Sequence, residues 1–127
     1  VKEVNIFLMT STKAPKIEKG EYQYILTCGS TTLKDKGAER QTTGNRLVIR
    51  CAIEAMKRMR KPSMITIWTD SGYLISGHEN MGLWIGNGWK RPGGRQLKNI
   101  DLWKQLHELE KGHMIRCRYE DMERYKD

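Results

Sequence analysis

Residues 64–74 read Met64-Ile-Thr-Ile-Trp-Thr-Asp-Ser-Gly-Tyr-Leu74, and the change of character midway through them decides the fold. The first half, residues 64–69, is β-branched and aromatic, as a strand buried in a sheet requires. Thr69, Asp70 and Ser71 then supply side chains that end strands and cap helices. A carboxylate, Asp70, is therefore expected where a strand hands over to a helix. In open α/β sheets that edge is where ligands gather. The plainer role for the same residue is a helix cap and nothing more.

Working upstream, residues 46–60 carry Leu47, Cys51, Ala55 and Met59 at every fourth position, with Val48, Ala52 and Met56 beside them. That is the stripe of a helix. Lys57, Arg58, Arg60 and Lys61 suit its negative C-terminal end, and Pro62 stops it. Gln41-Thr42-Thr43-Gly44-Asn45 is the lead-in, with Thr or Asn able to cap. A helix between strands makes a crossover, so strand 64–69 is expected to pair in parallel. Earlier still, residues 4–9 are apolar on both faces for most of their length and predict a central strand. Residues 10–20 read as a loop and 22–27 as a strand. Cys28-Gly29-Ser30 is a turn, and 31–40 is a lysine-bearing edge strand. The three strands predict an antiparallel meander.

Downstream, a helix starts at Ser71 and is ended or kinked by Gly77, with a further short helix at 81–85. Residues 86–95 form an exposed basic segment. Residues 99–110 are amphipathic, with Leu102, Leu106 and Leu109 on one face, and Lys111-Gly112 closes that helix. Residues 113–119 alternate as a last strand, Ile115, Cys117 and Tyr119 on one side and Arg116 and Arg118 on the other. A short charged tail follows at 120–127. The order is β-β-β-α-β-α-(α)-α-β, without repeats or linkers, which predicts a single domain over residues 1–127.

The 23 Lys and Arg against 15 Asp and Glu give a net charge of +8, which attracts polyanions, nucleic acid before anionic membrane. No stretch has the pattern of a membrane-surface helix, an apolar span or a secretory signal, so no membrane partner is expected. Cys28, Cys51 and Cys117 are odd in number and show no C-x-x-C spacing. Reduced thiols and a cytoplasmic location fit them better than disulfides or zinc.

Several strings resemble the bacterial-type ribonuclease H family, over about residues 4–119. Val4-Asn-Ile-Phe resembles its first strand, and Gly20-Glu-Tyr-Gln-Tyr-Ile-Leu26 its second. Thr42-Thr-Gly-Asn-Arg46 is similar to its Thr-Thr-Asn-Asn-Arg lead-in, and Thr69-Asp-Ser-Gly-Tyr73 to its Thr-Asp-Ser-Gln-Tyr. Lys98-Asn-Ile-Asp-Leu-Trp103, the most specific, matches Lys-Asn-x-Asp-Leu-Trp. The resemblance implies an α/β, ribonuclease H-like mixed five-stranded sheet, an antiparallel meander plus parallel strands, flanked by helices. It also implies cleavage of the RNA strand of an RNA–DNA hybrid by two Mg²⁺ ions held on four carboxylates, because Mg²⁺ needs hard oxygen ligands at both ends of the displacement.

Against that pattern, Met9 and Val48 stand where the first two acids are expected, and Thr10-Ser11 replaces Gly-Ser. Asp70 is the third acid and the catalytic candidate. The fourth belongs on a helix beyond the last strand, where this sequence ends, and the loop histidine is missing. The tail offers Glu120, Asp121 and Glu123. No metal ligands and no cofactor are therefore expected, with Mg²⁺ or Mn²⁺ required only if the site has been rebuilt from the tail. Hydrolysis is expected to be lost, leaving Asp70 as the cap of the following helix.

The resemblance also implies nucleic-acid contacts. Thr43 and Asn99 match positions that hold a DNA phosphate, though the neighbouring arginine has no clear match beyond nearby Arg40. Asn45 matches a reader of the RNA sugar edge, with Ser71 alongside, while Gly44 and Gly72 thin that set. Thr43 and Asn45 are as readily explained by helix capping. Trp84, Trp89, Lys90, Arg91 and Arg95 occupy the family's basic protrusion, where rings meet sugars or bases and cations meet phosphates. Trp84 is expected to pack the protrusion onto the body, with Trp89 the better contact. Trp68 and Trp103 are expected in the core, and His78, His107 and His113 in surface or structural roles. Three functions follow in order: a nucleic-acid-binding module for RNA–DNA hybrid or duplex that has lost hydrolysis, a nuclease with rebuilt metal ligands, and a protein-interaction or scaffold domain with a protein partner.

Overall fold

The computed structural model describes residues 2–125, so Val1 and the end of the charged tail at Lys126 and Asp127 lie outside the described residues. Five strands form one mixed sheet: β1 (Lys2–Thr10), β2 (Glu18–Cys28), β3 (Thr31–Thr42), β4 (Ser63–Thr69) and β5 (Met114–Tyr119). Their spatial order is β3-β2-β1-β4-β5. The meander is antiparallel, with Phe7 opposite Ile25, and β1–β4–β5 run parallel, with Ile6 opposite Ile67 and Ile67 opposite Cys117. The apolar β1 is central, as a strand buried on both faces should be. This is the mixed α/β sheet expected of the ribonuclease H-like fold.

The helices are α1 (Gly44–Met56), α2 (Gly72–Gly86) and α3 (Ile100–Glu110). Val4, Ile6 and Leu8 point to one face and form the main core with Ile49, Ile53, Leu74, Leu102, Trp103 and Leu106 from the helices. Phe7, Met9 and Ile25 point the other way, a consequence of the two-residue period of a strand. They join Trp68, Met122 and Tyr125 in a second, smaller cluster. Trp68 thus belongs to the opposite face and is only half-buried, not in the main core as expected, because β4 presents Ile65 and Ile67 to the helices and Trp68 away from them. Its indole N–H donates to Asn5 Oδ1 at 2.9 Å.

Two helix boundaries differ from the sequence expectation. α2 runs unbroken through Gly77, so the predicted stop there and separate helix at 81–85 are one element. The glycine is demanded by packing: a Cβ at this position would lie 2.3 Å from Trp103 Cζ2 of α3. α1 ends at Met56, with Lys57 as its C-cap, so the basic cluster lies just past the helix rather than in its last turn. On β5, Cys117 is buried while Tyr119, two residues on along the same face, is exposed.

Candidate functional site at the ends of the central strands

The C-terminal ends of β1 and β4 and the N-termini of α1 and α2 enclose a cleft of about 140 Å³, lined by Thr10, Lys13, Gly44, Asn45, Val48, Asp70, Ser71, Gly72 and Tyr73. Asp70 is not the helix cap expected of it. Ser71 takes that role: its Oγ accepts the Leu74 N–H at 3.0 Å, and its own N–H donates to Thr69 Oγ1 at 3.1 Å. This leaves the Asp70 carboxylate free to turn into the cleft, where it meets the ammonium of Lys13 at 2.9 Å. The Asp70 side chain is 16% exposed and that of Lys13 61%. A pair so open to water contributes at most about 1 kcal/mol to stability.

Lys13 sits in the β1–β2 connection, which is pressed onto the start of α1. The Gly44 N–H donates to Ala14 O at 2.8 Å, and a Cβ on Gly44 would lie 2.4 Å from Lys13 Cα. Only a glycine lets the loop approach so closely. Met9 and Val48 are both buried, at 3% and 4% exposure. Met9 turns to the far face of the sheet, against Ile25 and Met122, whereas Val48 joins the main core.

The nucleic-acid candidates divide into two groups. Thr43 caps α1, its Oγ1 accepting the Arg46 N–H at 3.2 Å, and Asn45 is exposed in the first turn beside it. Asn99 adopts a left-handed conformation (φ 61°). Its amide donates to Tyr73 Oη at 2.8 Å, and its Oδ1 accepts from Arg46 at 3.1 Å. Arg46 is also bidentate to Asp101, at 3.0 and 2.8 Å. The hydrogen bonds from Arg46 hold the Asp101 carboxyl below the usual carboxylate range. Thr43 and Asn99 thus meet through Arg46, with Arg40 outside these contacts.

The second group is the basic protrusion. Lys90, Arg91 and Arg95 are exposed on a tight loop: Arg91 N–H donates to Arg95 O at 2.9 Å, and Lys90 pairs with Gln96. Trp89, with φ 65°, folds back instead of projecting. Its ring lies edge-on to His107 at 5.8 Å, with the Lys104 ammonium 5.8 Å above it. Trp84 packs against Trp103 at 5.4 Å, as expected.

Lys13 and Arg46 are the residues that sequence reading missed. Lys13 was one charge in an undistinguished loop; its signal is a cation a few residues past the position where Met9 replaces an acid. Arg46 stood inside the Thr-Thr-Gly-Asn-Arg string, but nothing local tied it to Asn99.

Beyond β5 the chain turns back, and the Glu120 N–H donates to Thr69 O at 3.0 Å. The Glu120 carboxylate is taken by Arg124 and by Tyr125 Oη, and Asp121 accepts the Glu123 N–H at 3.1 Å. Among the described residues no three His, Cys, Asp or Glu side chains converge to hold a metal ion. The three thiols are unpaired, and no helix is long and apolar enough to cross a membrane, again among the described residues.

The sequence pattern of the RNase H family matches residues 2–119. The chain is 38% identical over 97 residues to Ribonuclease H of Methylococcus capsulatus, covering 76% of this chain and 63% of that protein. It therefore spans less than two thirds of that relative's length. It is similar to the solved structure of LC9-RNase H1, a type 1 RNase H with the type 2 active-site motif. The TM-score is 0.79, with 22% identity over 97% of this chain and 64% of that one. It is also similar to LC11-RNase H1 in complex with an RNA/DNA hybrid, with TM-score 0.69, 9% identity, and 95% and 87% coverage. At these identities the two structures show a shared fold.

Proposed function

The chain belongs to the RNase H family, and from that premise we propose that it is a single module that binds RNA–DNA hybrid or duplex and has lost metal-dependent hydrolysis, acting in the cytoplasm. The observation that carries the second half is that Asp70 is the one carboxylate lining its cleft, with apolar Val48 beside it and Met9 buried on the far face of the sheet. A pair of divalent ions needs oxygen ligands at both ends of an in-line displacement. The residues around Asp70 do not fit that requirement, and Glu120 and Asp121 are committed to neighbours within the tail. Binding is supported by the net charge of +8, by the exposed Lys90, Arg91 and Arg95, and by the hybrid held in LC11-RNase H1. The unpaired thiols support a reducing compartment.

The name shared by its relatives favours a second reading, a working nuclease drawing on the tail acids. One assay separates the two: purified chain, labelled hybrid, and Mg²⁺ or Mn²⁺. The expected outcome is intact hybrid, retained with an affinity that falls steeply with salt as phosphate contacts release counterions. Divalent-dependent cutting that Asp70→Asn abolishes would establish the nuclease instead. Neither cutting nor retention would point to the scaffold function.

A further inference from the structure

We propose that the Asp70 cleft is an anion site, in which Lys13 takes a backbone phosphodiester of the bound nucleic acid without any divalent ion. This deepens the function proposed above and rests on it.

Three observations converge on Lys13. Its ammonium has three donors. The ion pair recorded for it among the described residues, with Asp70, uses one of them, and the side chain is 61% exposed. The remaining donors therefore face water at the cleft mouth. Secondly, the group is held in place. The loop bearing Lys13 is bonded to α1 through Gly44 N–H and Ala14 O, and the Ala14 N–H donates to Thr12 Oγ1 at 3.0 Å. A lysine on a pinned loop backbone loses less freedom on meeting a phosphate than one on a mobile loop. Thirdly, Asp70 is the one carboxylate lining the cleft, and Lys13 neutralises it. Left unpaired, Asp70 would repel a polyanion. The surrounding lining adds the exposed amide of Asn45 and the starts of α1 and α2, neither of which has an acid in its first turn.

Gly44 and Lys13 act together in this arrangement. A side chain at position 44 would collide with the Lys13 backbone, so the glycine that removes a possible sugar contact is what seats the cation. The site has exchanged one mode of recognition for another.

The test is fluorescence anisotropy of a labelled RNA–DNA hybrid with the full chain, in EDTA and in Mg²⁺ at matched ionic strength. Equal affinity in the two buffers is expected; a requirement for Mg²⁺ would overturn the proposal. Lys13→Ala, an exposed change, is expected to weaken binding about fivefold and to lower the salt slope by about one, as the loss of one phosphate contact does. Gly44→Asn should weaken binding similarly by displacing the loop, and thermal melting shows whether that variant is folded. Lys13→Ala alone decides if it is not. If the unaltered chain binds hybrid but Lys13→Ala binds equally well, this inference falls and the proposed function stands. If the unaltered chain binds no hybrid or duplex at all, both fall.

Discussion

His78 shows how a single residue couples the fold to pH. Its Nε2 meets both carboxylate oxygens of Glu110, at 2.8 and 2.9 Å, so the imidazole ties α2 to the end of α3. Burial opposes its charge, but hydrogen bonding to Cys117 and Glu110 outweighs burial and pushes its pKa from 6.5 to about 10. The folded state therefore holds this proton more tightly than the unfolded chain. The resulting stability is complete below about pH 6.5 and is lost as pH rises towards about 10. Denaturant midpoints should accordingly fall across that window, and His78→Gln should flatten this part of the slope. An equal slope in the variant would assign the pH dependence elsewhere. Sequence reading gave His78 a surface or structural role without choosing between them, because it had no access to the partner that another helix supplies. The same limit explains Asp70. Two adjacent residues, Asp70 and Ser71, were both suitable caps, and only the backbone decides which hydroxyl or carboxylate reaches the Leu74 N–H.

Among the elements, the basic protrusion between α2 and α3 is the most open to test. Its cations are exposed, while Trp89 is half-buried with its ring edge-on to His107. Lys90→Ala combined with Arg91→Ala should reduce hybrid affinity and lower the salt slope by about two, with the melting temperature unchanged. Unchanged anisotropy titrations would move the contact surface off the protrusion. Strands and helices with a clear period were legible: the meander and the 64–69 strand lie where the residues placed them, and the 46–60 stripe forms a helix that ends at Met56. Gly77 was misread because a glycine weakens a helix intrinsically, whereas its reason here is a Trp103 ring from α3. The packing of Trp89 onto α3 was not legible for a related reason. A Gly-Trp-Lys string looks exposed, and the positive φ that folds the ring back is not written in residue types.

For the molecule as a whole, the tail matters more than its charged composition suggested. Met122 is fully buried against Met9 and Ile25, closing part of the sheet face away from the helices. Met122→Ala should cost about 2–5 kcal/mol, read as a lower urea midpoint. A cost below about 0.5 kcal/mol, typical of a surface change, would mean that the tail does not seal this face. The fold was legible because hydrophobic periodicity and short family strings both span the chain. The Lys13–Asp70 pair and the Met9–Met122 contact were not legible, since each joins residues far apart in sequence.

The packing of Met9 beneath Met122 also limits what that position can hold. An acid at Met9 alone would strand a carboxylate among methionine and isoleucine with nothing to compensate its charge. An acid introduced at Met9 would therefore be tolerated only together with a group that compensates its charge.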